Sequence, residues 1–451
     1  MASVVAPLRW LEKVVAVRPG EARALCWSFA YFFCLLAGYY ILRPLRDEMG
    51  VAGGVRNLQW LFTATFFVML AAVPVFGAVV ARLPRRRFIP LVYHFFVANI
   101  AIFWLLLTFD IGKLYVARIF FVWISVFNLF AVSVFWSFMA DLYASEQGKR
   151  LFGFIAAGGS AGALVGPAVT VWLAGPLGPV NLLILAALLL EAAVLCAQRL
   201  ELTAPGVINE TARSSAEAAP DALPESGGLG GGWLAGIVMV LRSPYLAGIA
   251  LWVSLLSLAG TFLYFQQANI VAAASDDPAV RTRIFATIDL AIGILTIIVQ
   301  CLATGKLIAR FGVGAAAGFL PLIFGIGFAA LALSPALAVV IAFQAIQRTA
   351  NFALSNPARE VLFTAVERAE KYKAKNVIDI VVFRGADAAS GWLFAALRGA
   401  GLELSLISLA TVPVAAGWLA LALALGRAHE HRARRAGLPA AAEANPPTKG
   451  A

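Results

Sequence analysis

Apolar residues run along this chain in twelve stretches of about 20, separated by short polar breaks. A helix of that length rises about 30 Å, enough to cross the hydrocarbon layer of a bilayer. The pattern predicts membrane-spanning helices near residues 24–42, 58–81, 88–108, 114–140, 151–174 and 180–198. A second set follows near 245–270, 284–305, 314–333, 335–355, 377–397 and 404–426. Between the sets, residues 199–232 contain Thr203-A-P-G, Ser214-S and Gly227-G-L-G-G-G, which have little to bury and predict a flexible linker. Trp233 to Val240 reads as a short interfacial helix. The expected fold class is an all-α polytopic membrane protein. Its expected organisation is a six-helix bundle over 1–198, a linker over 199–232, a second six-helix bundle over 233–427 and a cytoplasmic tail over 428–451.

Composition agrees, with 61% hydrophobic and 13% charged residues and a mean hydropathy of +0.86. A soluble domain carries about 45–50% apolar and roughly 25% charged residues. Lys and Arg exceed Asp and Glu by 11, which in a soluble protein would point to nucleic acid. Here the excess has a simpler cause in loop asymmetry. With the N-terminus inside, 25 of the 35 Lys and Arg fall on inner segments and 7 on outer loops, while Arg118, Arg348 and Arg384 lie within spans. That bias places both termini in the cytoplasm, with a bacterial inner membrane as the expected location and no nucleic-acid partner. Cys26, Cys34, Cys196 and Cys301 fall in apolar runs without a C-x-x-C pair, and His94, His429 and His431 lack metal-ligand spacing, so no metal site is expected. No removable signal peptide, P-loop, H-E-x-x-H or dinucleotide turn stands out, which argues against an enzyme, a cofactor or an ATP-driven pump. The expected partners are the lipid bilayer and a small-molecule substrate. The oligomeric state is left open, and a monomer would suffice.

The two halves repeat. Gly77-A-V-V-A-R-L-P-R-R follows span two and Gly305-K-L-I-A-R-F-G follows span eight. Gly77 and Gly305, Lys149 and Lys375, and Gly162 and Gly391 recur at offsets of 226 to 229 residues, which argues for a duplicated six-span unit. The G-x-x-x-A-R-x-G/P pattern resembles the loop signature of the major facilitator superfamily, with Ala81 and Ala309 where that signature has Asp. The resemblance implies two six-helix pseudo-repeats, a substrate site near the membrane midplane between the halves, and rocking of one half against the other. Arg82, Lys149, Arg310 and Lys375 would stabilise the inward-closed arrangement at the cytoplasmic face.

Ionisable residues inside the spans are the candidates for chemistry, because an ion at membrane depth is costly and must face the bundle interior or a wet cavity. Span one ends I-L-Arg43-Pro44-L-Arg46-Asp47-Glu48, where Pro44 is expected to break the helix and the arginines lie three apart as a basic clamp or as snorkelling ends. Arg46, Arg348 and Arg384 are the candidate anion contacts, with Asn128 and Gln267 as neutral contacts. Asp47, Asp289, Asp379 and Asp387 are coupling or charge-pairing groups. Arg348 is a candidate partner for Asp379 or Asp387, and Arg384–Asp387 has the spacing of a pair within one helix. Gly158, Gly162 and Gly166, spaced by four and followed by Pro167, predict close helix packing.

Three motifs also resemble the ATP/ADP translocases of plastids and intracellular bacteria. I-L-R-P-L-R-D of span one is similar to the family's I-L-R-x-x-K-D, with Arg46 in place of lysine. Phe135-W-S-F-M-A-D through Glu146-Q-G-K-R-L-F resembles F-W-x-F-A-N through E-A-K-R-F-Y. Asn356-P-A-R-E through Lys371-Y-K-A-K-N-V-I-D resembles D-P-x-K-E followed by K-x-K-G-K-A-A-I-D. The resemblance implies exchange transport. However, Val116 to Ala140 holds no Asp or Glu, Tyr245 to Ile270 holds no charge, and Asp387 stands where the family has a lysine. A triphosphate needs several clustered cations. The expected function is therefore a gradient- or exchange-driven transporter of an anionic small metabolite working by alternating access, with ATP/ADP exchange itself disfavoured. Two alternatives stay open: a proton-coupled exporter of amphiphilic compounds, and a non-transporting membrane partner or assembly factor.

Overall fold

A computed structural model of the chain describes residues 21–82, 85–143, 145–203, 233–302, 304–366, 374–375 and 377–435. Every regular element among the described residues is helical. Twelve helices are long and apolar enough to cross a membrane. Spans one to six cover Ala22–Ala52, Val55–Val75, Phe88–Thr108, Lys113–Leu142, Arg150–Leu173 and Leu182–Thr203. Spans seven to twelve cover Pro244–Ala274, Pro278–Gln300, Gly314–Leu333, Leu337–Ala365, Val377–Gly399 and Leu404–Arg432. The short helix before span seven runs from Trp233 to Arg242. Residues 204–232, most of the expected linker, lie outside the described residues.

Pro44 does not end span one. The helix runs from Ala22 to Ala52 with Pro44 buried inside it. A proline removes one backbone hydrogen bond, and in a packed membrane helix the neighbouring helices tolerate that loss. Arg43, Arg46, Asp47 and Glu48 are consequently helical residues at span depth rather than a frayed end.

The chain divides into two compact units. The first gathers the described residues of Met1–Gly53, Ala71–Gly228 and Asp276–Leu290. Its main seam is span one against span five, made possible by absent side chains. A Cβ on Gly158 would meet the Phe29 carbonyl oxygen at 2.5 Å, and one on Gly162 the Phe33 carbonyl oxygen at 2.5 Å. One on Gly166 would lie 2.7 Å from the Ala37 carbonyl oxygen. Beside this seam Phe32 stacks on Phe135 with ring centroids 4.1 Å apart. Buried hydroxyls are matched to partners as burial requires. The Tyr31 hydroxyl donates to that of Tyr93 at 2.7 Å, which donates to the Ala131 carbonyl at 3.1 Å. Ser28 meets the Tyr143 hydroxyl at 2.9 Å just past span four, where burial pushes the Tyr143 phenol up to about 12 against the opposing effect of that hydrogen bond. At the start of span one Glu21 takes Arg150 at 2.9 Å and Gln147 at 3.1 Å.

The second unit gathers the described residues of Gly54–Leu70, Leu229–Ser275 and Ala291–Ala451. Trp252, Trp418, Phe324, Phe328 and Phe343 form its aromatic core, all but Phe343 nearly inaccessible. Two of its spans contain π-helical turns, Asn351–Ser355 in span ten and Val377–Val382 at the head of span eleven. Such turns cluster at functional sites because they re-aim side chains within a helix. The first precedes Pro357, whose ring would clash with a carbonyl one α-turn back.

Candidate functional site

In the first unit the charges of span one meet the head of span eight. Arg43 Nη1 lies 3.5 Å from Asp289 Oδ1, and Arg281 Nη2 donates to Glu48 Oε1 at 2.8 Å. Both pairs are shielded, with Asp289 and Glu48 carboxylates 3% and 2% exposed. Arg46 sits beside Asp47 at 3.3 Å, and its guanidinium carbon lies 4.0 Å from the ring centroid of Phe121 in span four. Stacking of that kind holds a planar cation in a fixed orientation. Tyr39 and Tyr40 stack edge to face one turn earlier on the same helix. The side chain of Asn128, half-buried in span four, has no hydrogen-bond partner among the described residues. Arg118 is structural, its Nε donating to the Gly53 carbonyl at 3.0 Å where span one ends.

In the second unit span eleven carries charged groups, and span seven supplies hydroxyls to one of them. Asp387 Oδ1 accepts from Ser257 Oγ at 2.5 Å and from Thr261 Oγ1 at 3.2 Å. Ser257 and Thr261 are four apart on one face of span seven, so both hydroxyls point at a single carboxylate. Arg384 reaches the other oxygen of Asp387 at only 3.5 Å and makes no hydrogen bond among the described residues, while its side chain is 38% exposed. Asp379 takes Arg359 at 3.3 Å rather than Arg348, because the π turn heading span eleven points its carboxylate towards the short helix Asn356–Leu362. Lys375 grips Glu360 at 2.6 Å at the same end. Arg348 is half-buried and engaged. Gln267 is 2% exposed, and its Oε1 has no hydrogen-bond partner.

Of the expected charge groups, the structure therefore places Arg46, Asp47 and Asp289 in one unit and Gln267, Arg348, Asp379, Arg384 and Asp387 in the other. The side chains of Arg82, Lys149 and Arg310 lie outside the described residues. Among the described residues no three His, Cys, Asp or Glu gather as metal ligands. Ser257, Thr261 and Arg281 were not legible as site residues. The four-residue spacing of two hydroxyls in an uncharged span was the available signal for the first two.

No family model and no curated protein sequence matches the chain. Solved structures do. The chain is similar to a POT family transporter in complex with 5-aminolevulinic acid, at 14% identity and a TM-score of 0.59 over 90% of this chain and 96% of that one. It is similar to the nucleoside transporter NupG at 14% identity and a TM-score of 0.59, over 92% of this chain and 99% of that one. It is also similar to a bacterial homolog of the human lysosomal transporter Spinster, at 14% identity and a TM-score of 0.53, over 93% and 96% of the two chains. Likeness at this identity is a likeness of fold: this is a multi-pass membrane protein whose twelve helices, in two six-helix pseudo-repeats, have the major facilitator fold.

Proposed function

We propose that the protein is a secondary transporter that carries an anionic small metabolite by alternating access, driven by a gradient or by exchange. The observation that carries this proposal is the state of Arg384. It lies inside a membrane span, more than one-third exposed, with no hydrogen bond and a single 3.5 Å ion pair. An arginine at that depth costs about 2.5–3.5 kcal/mol even by the mildest scale, so it needs a wet cavity or a ligand. Asp387 would be its natural partner, but the Ser257 and Thr261 hydroxyls both engage one oxygen of that carboxylate, and the other stays 3.5 Å from Arg384. The guanidinium keeps its fork of donors open, and a fork of donors suits a carboxylate or a phosphate.

Arg46 and Arg348 are the further anion contacts in this proposal, Asn128 and Gln267 the neutral ones, and Asp47, Asp289, Asp379 and Asp387 the coupling or pairing groups. Antiport, an inner-membrane location, cytoplasmic termini and kinship with the ATP/ADP translocases belong to the same proposal, with Lys149, Lys375, Arg82 and Arg310 at the cytoplasmic gate. The solved proteins of similar fold are named as transporters, which supports the general class. Transport of amphiphiles coupled to protons is the second reading, favoured by the shielded Arg43–Asp289 pair.

Counterflow in proteoliposomes against phosphorylated metabolites and carboxylates is the test. Arg384→Ala is expected to cut counterflow of the accepted anion about tenfold or more, the worth of one charge-assisted contact. Counterflow unaffected by Arg384→Ala would overturn the anion site. Uptake that collapses when the proton gradient is dissipated would favour the exporter, and no counterflow with any compound would favour a non-transporting role.

A further inference from the structure

A cavity of about 380 Å³ opens in the second unit, lined by Val55, Arg56, Gln59, Phe265, Asn269, Phe394, Ala395, Arg398 and Gly399. Its residues come from the turn after span one, the last turns of span seven and the last turn of span eleven. Each of these follows an odd-numbered span, so all lie on one side of the membrane. Arg398 is 14 residues beyond Arg384 on the same helix, about 21 Å at 1.5 Å per residue, so this cavity is distinct from the Arg384 anion contact, although Gln267 lies on the same turns of span seven as its lining residues Phe265 and Asn269.

The lining has a definite chemistry. It holds two guanidinium groups and no Asp or Glu. Arg56 has no side-chain partner among the described residues, and Arg398 spends one donor on the Leu402 carbonyl at 2.9 Å. An arginine carries five donors, so most of theirs stay open. Gln59 is 9% exposed; its backbone carbonyl accepts from Thr63 at 2.8 Å, while its side-chain amide makes no hydrogen bond among the described residues and is left to serve the cavity. Asn269 donates to the Phe265 carbonyl at 2.7 Å and keeps its side-chain oxygen open. Phe265 and Phe394, 2% and 3% exposed, supply an apolar floor.

The wall is also firmly built. Gly54 has a φ of 95°, a value that favours glycine, and it starts the turn that carries Arg56. Gly391 lets the Phe265 ring pack close, since a Cβ there would meet its Cζ at 3.2 Å. Trp392 donates to the Thr63 hydroxyl at 3.0 Å and meets Trp60 edge to face at 4.7 Å. Span two is thus tied to span eleven directly beside the cavity.

We propose that this cavity is a second ligand site, which binds a phosphate or carboxylate group joined to an apolar body. The two guanidinium groups clamp the anion, the Gln59 and Asn269 amides orient it, and the two phenyl rings take the apolar part. Its volume suits a small molecule or the headgroup of one anionic lipid. A free anion and a lipid headgroup share this chemistry, and the test separates them.

The full-length protein is melted in phosphatidylcholine nanodiscs with and without phenyl phosphate, and separately in nanodiscs containing phosphatidylglycerol. Wild-type protein is expected to melt higher with at least one of the two. Stabilisation by phenyl phosphate in neutral nanodiscs identifies a soluble ligand, and stabilisation by phosphatidylglycerol alone identifies a lipid; either supports the site. The double variant Arg56→Gln/Arg398→Gln should fold normally, because both side chains are exposed and outside any ion pair, and should weaken the apparent affinity about tenfold per arginine. Ala395→Phe, which fills the cavity without touching a charge, should weaken it too, whereas Arg384→Ala should not. No stabilisation by either probe, or stabilisation that persists in both cavity variants, would overturn the proposal.

Discussion

Asp289→Ala is expected to lower stability by about 3–5 kcal/mol, the usual consequence of removing one member of a buried ion pair. The carboxylate is 3% exposed and lies 3.5 Å from Arg43, whose own side chain is only 16% exposed. Truncation leaves a guanidinium shielded from water in a segment that crosses the bilayer. Burial of the unmatched charge, rather than loss of the attraction itself, dominates the effect, so the double variant Arg43→Met/Asp289→Leu should recover most of the loss. Thermal unfolding in detergent across the full double-mutant cycle measures this directly. Equal losses in the single and double variants would mean that the site needs these groups for something other than each other. Glu48–Arg281, at 2.8 Å and just as shielded, should behave in the same manner.

That pairing also marks where the sequence stops being informative. Twelve spans were legible because twelve apolar runs of membrane length leave a helix no other way to bury its backbone. The G-x-x-x-G-x-x-x-G packing face over Gly158, Gly162 and Gly166 was legible because the small residues recur at helical spacing. Asp289 was visible as an isolated acid, but Arg43 lies 246 residues away, and no local pattern links them. Pro44 misled, since its helix-breaking preference is a property of isolated helices and packing overrides it here. The π turns at Asn351–Ser355 and Val377–Val382 have no composition signature, yet one of them redirects Asp379 to Arg359. Ser257 and Thr261 read as ordinary small polar residues until the structure puts both on the Asp387 carboxylate. Charge can be found in a sequence. Which charge is already satisfied can only be found in the fold, and that distinction separates Arg384 from Arg43, Arg281 and Arg359.

Gly162→Ala and Gly153→Ala, one methyl each in the same span, are expected to change stability in opposite directions. Alanine is the better helix former by about 1 kcal/mol, and that gain is available at both positions. At Gly153 a Cβ meets nothing within 4 Å, so the gain should stand. At Gly162 it would lie 2.5 Å from the Phe33 carbonyl oxygen and 2.8 Å from the Ala37 amide nitrogen. Both are backbone atoms of span one, which cannot rotate aside as a side chain would. Overpacking of that kind costs about 1–3 kcal/mol, so the clash outweighs propensity and the net effect is destabilising. The seam offers no easy retreat either, because Gly158 and Gly166 hold span one equally close a turn away on each side. Unfolding midpoints of the two variants decide the matter, and Gly162→Leu should prevent accumulation of folded protein altogether. If Gly162→Ala melts as high as Gly153→Ala, spans one and five do not pack backbone to backbone.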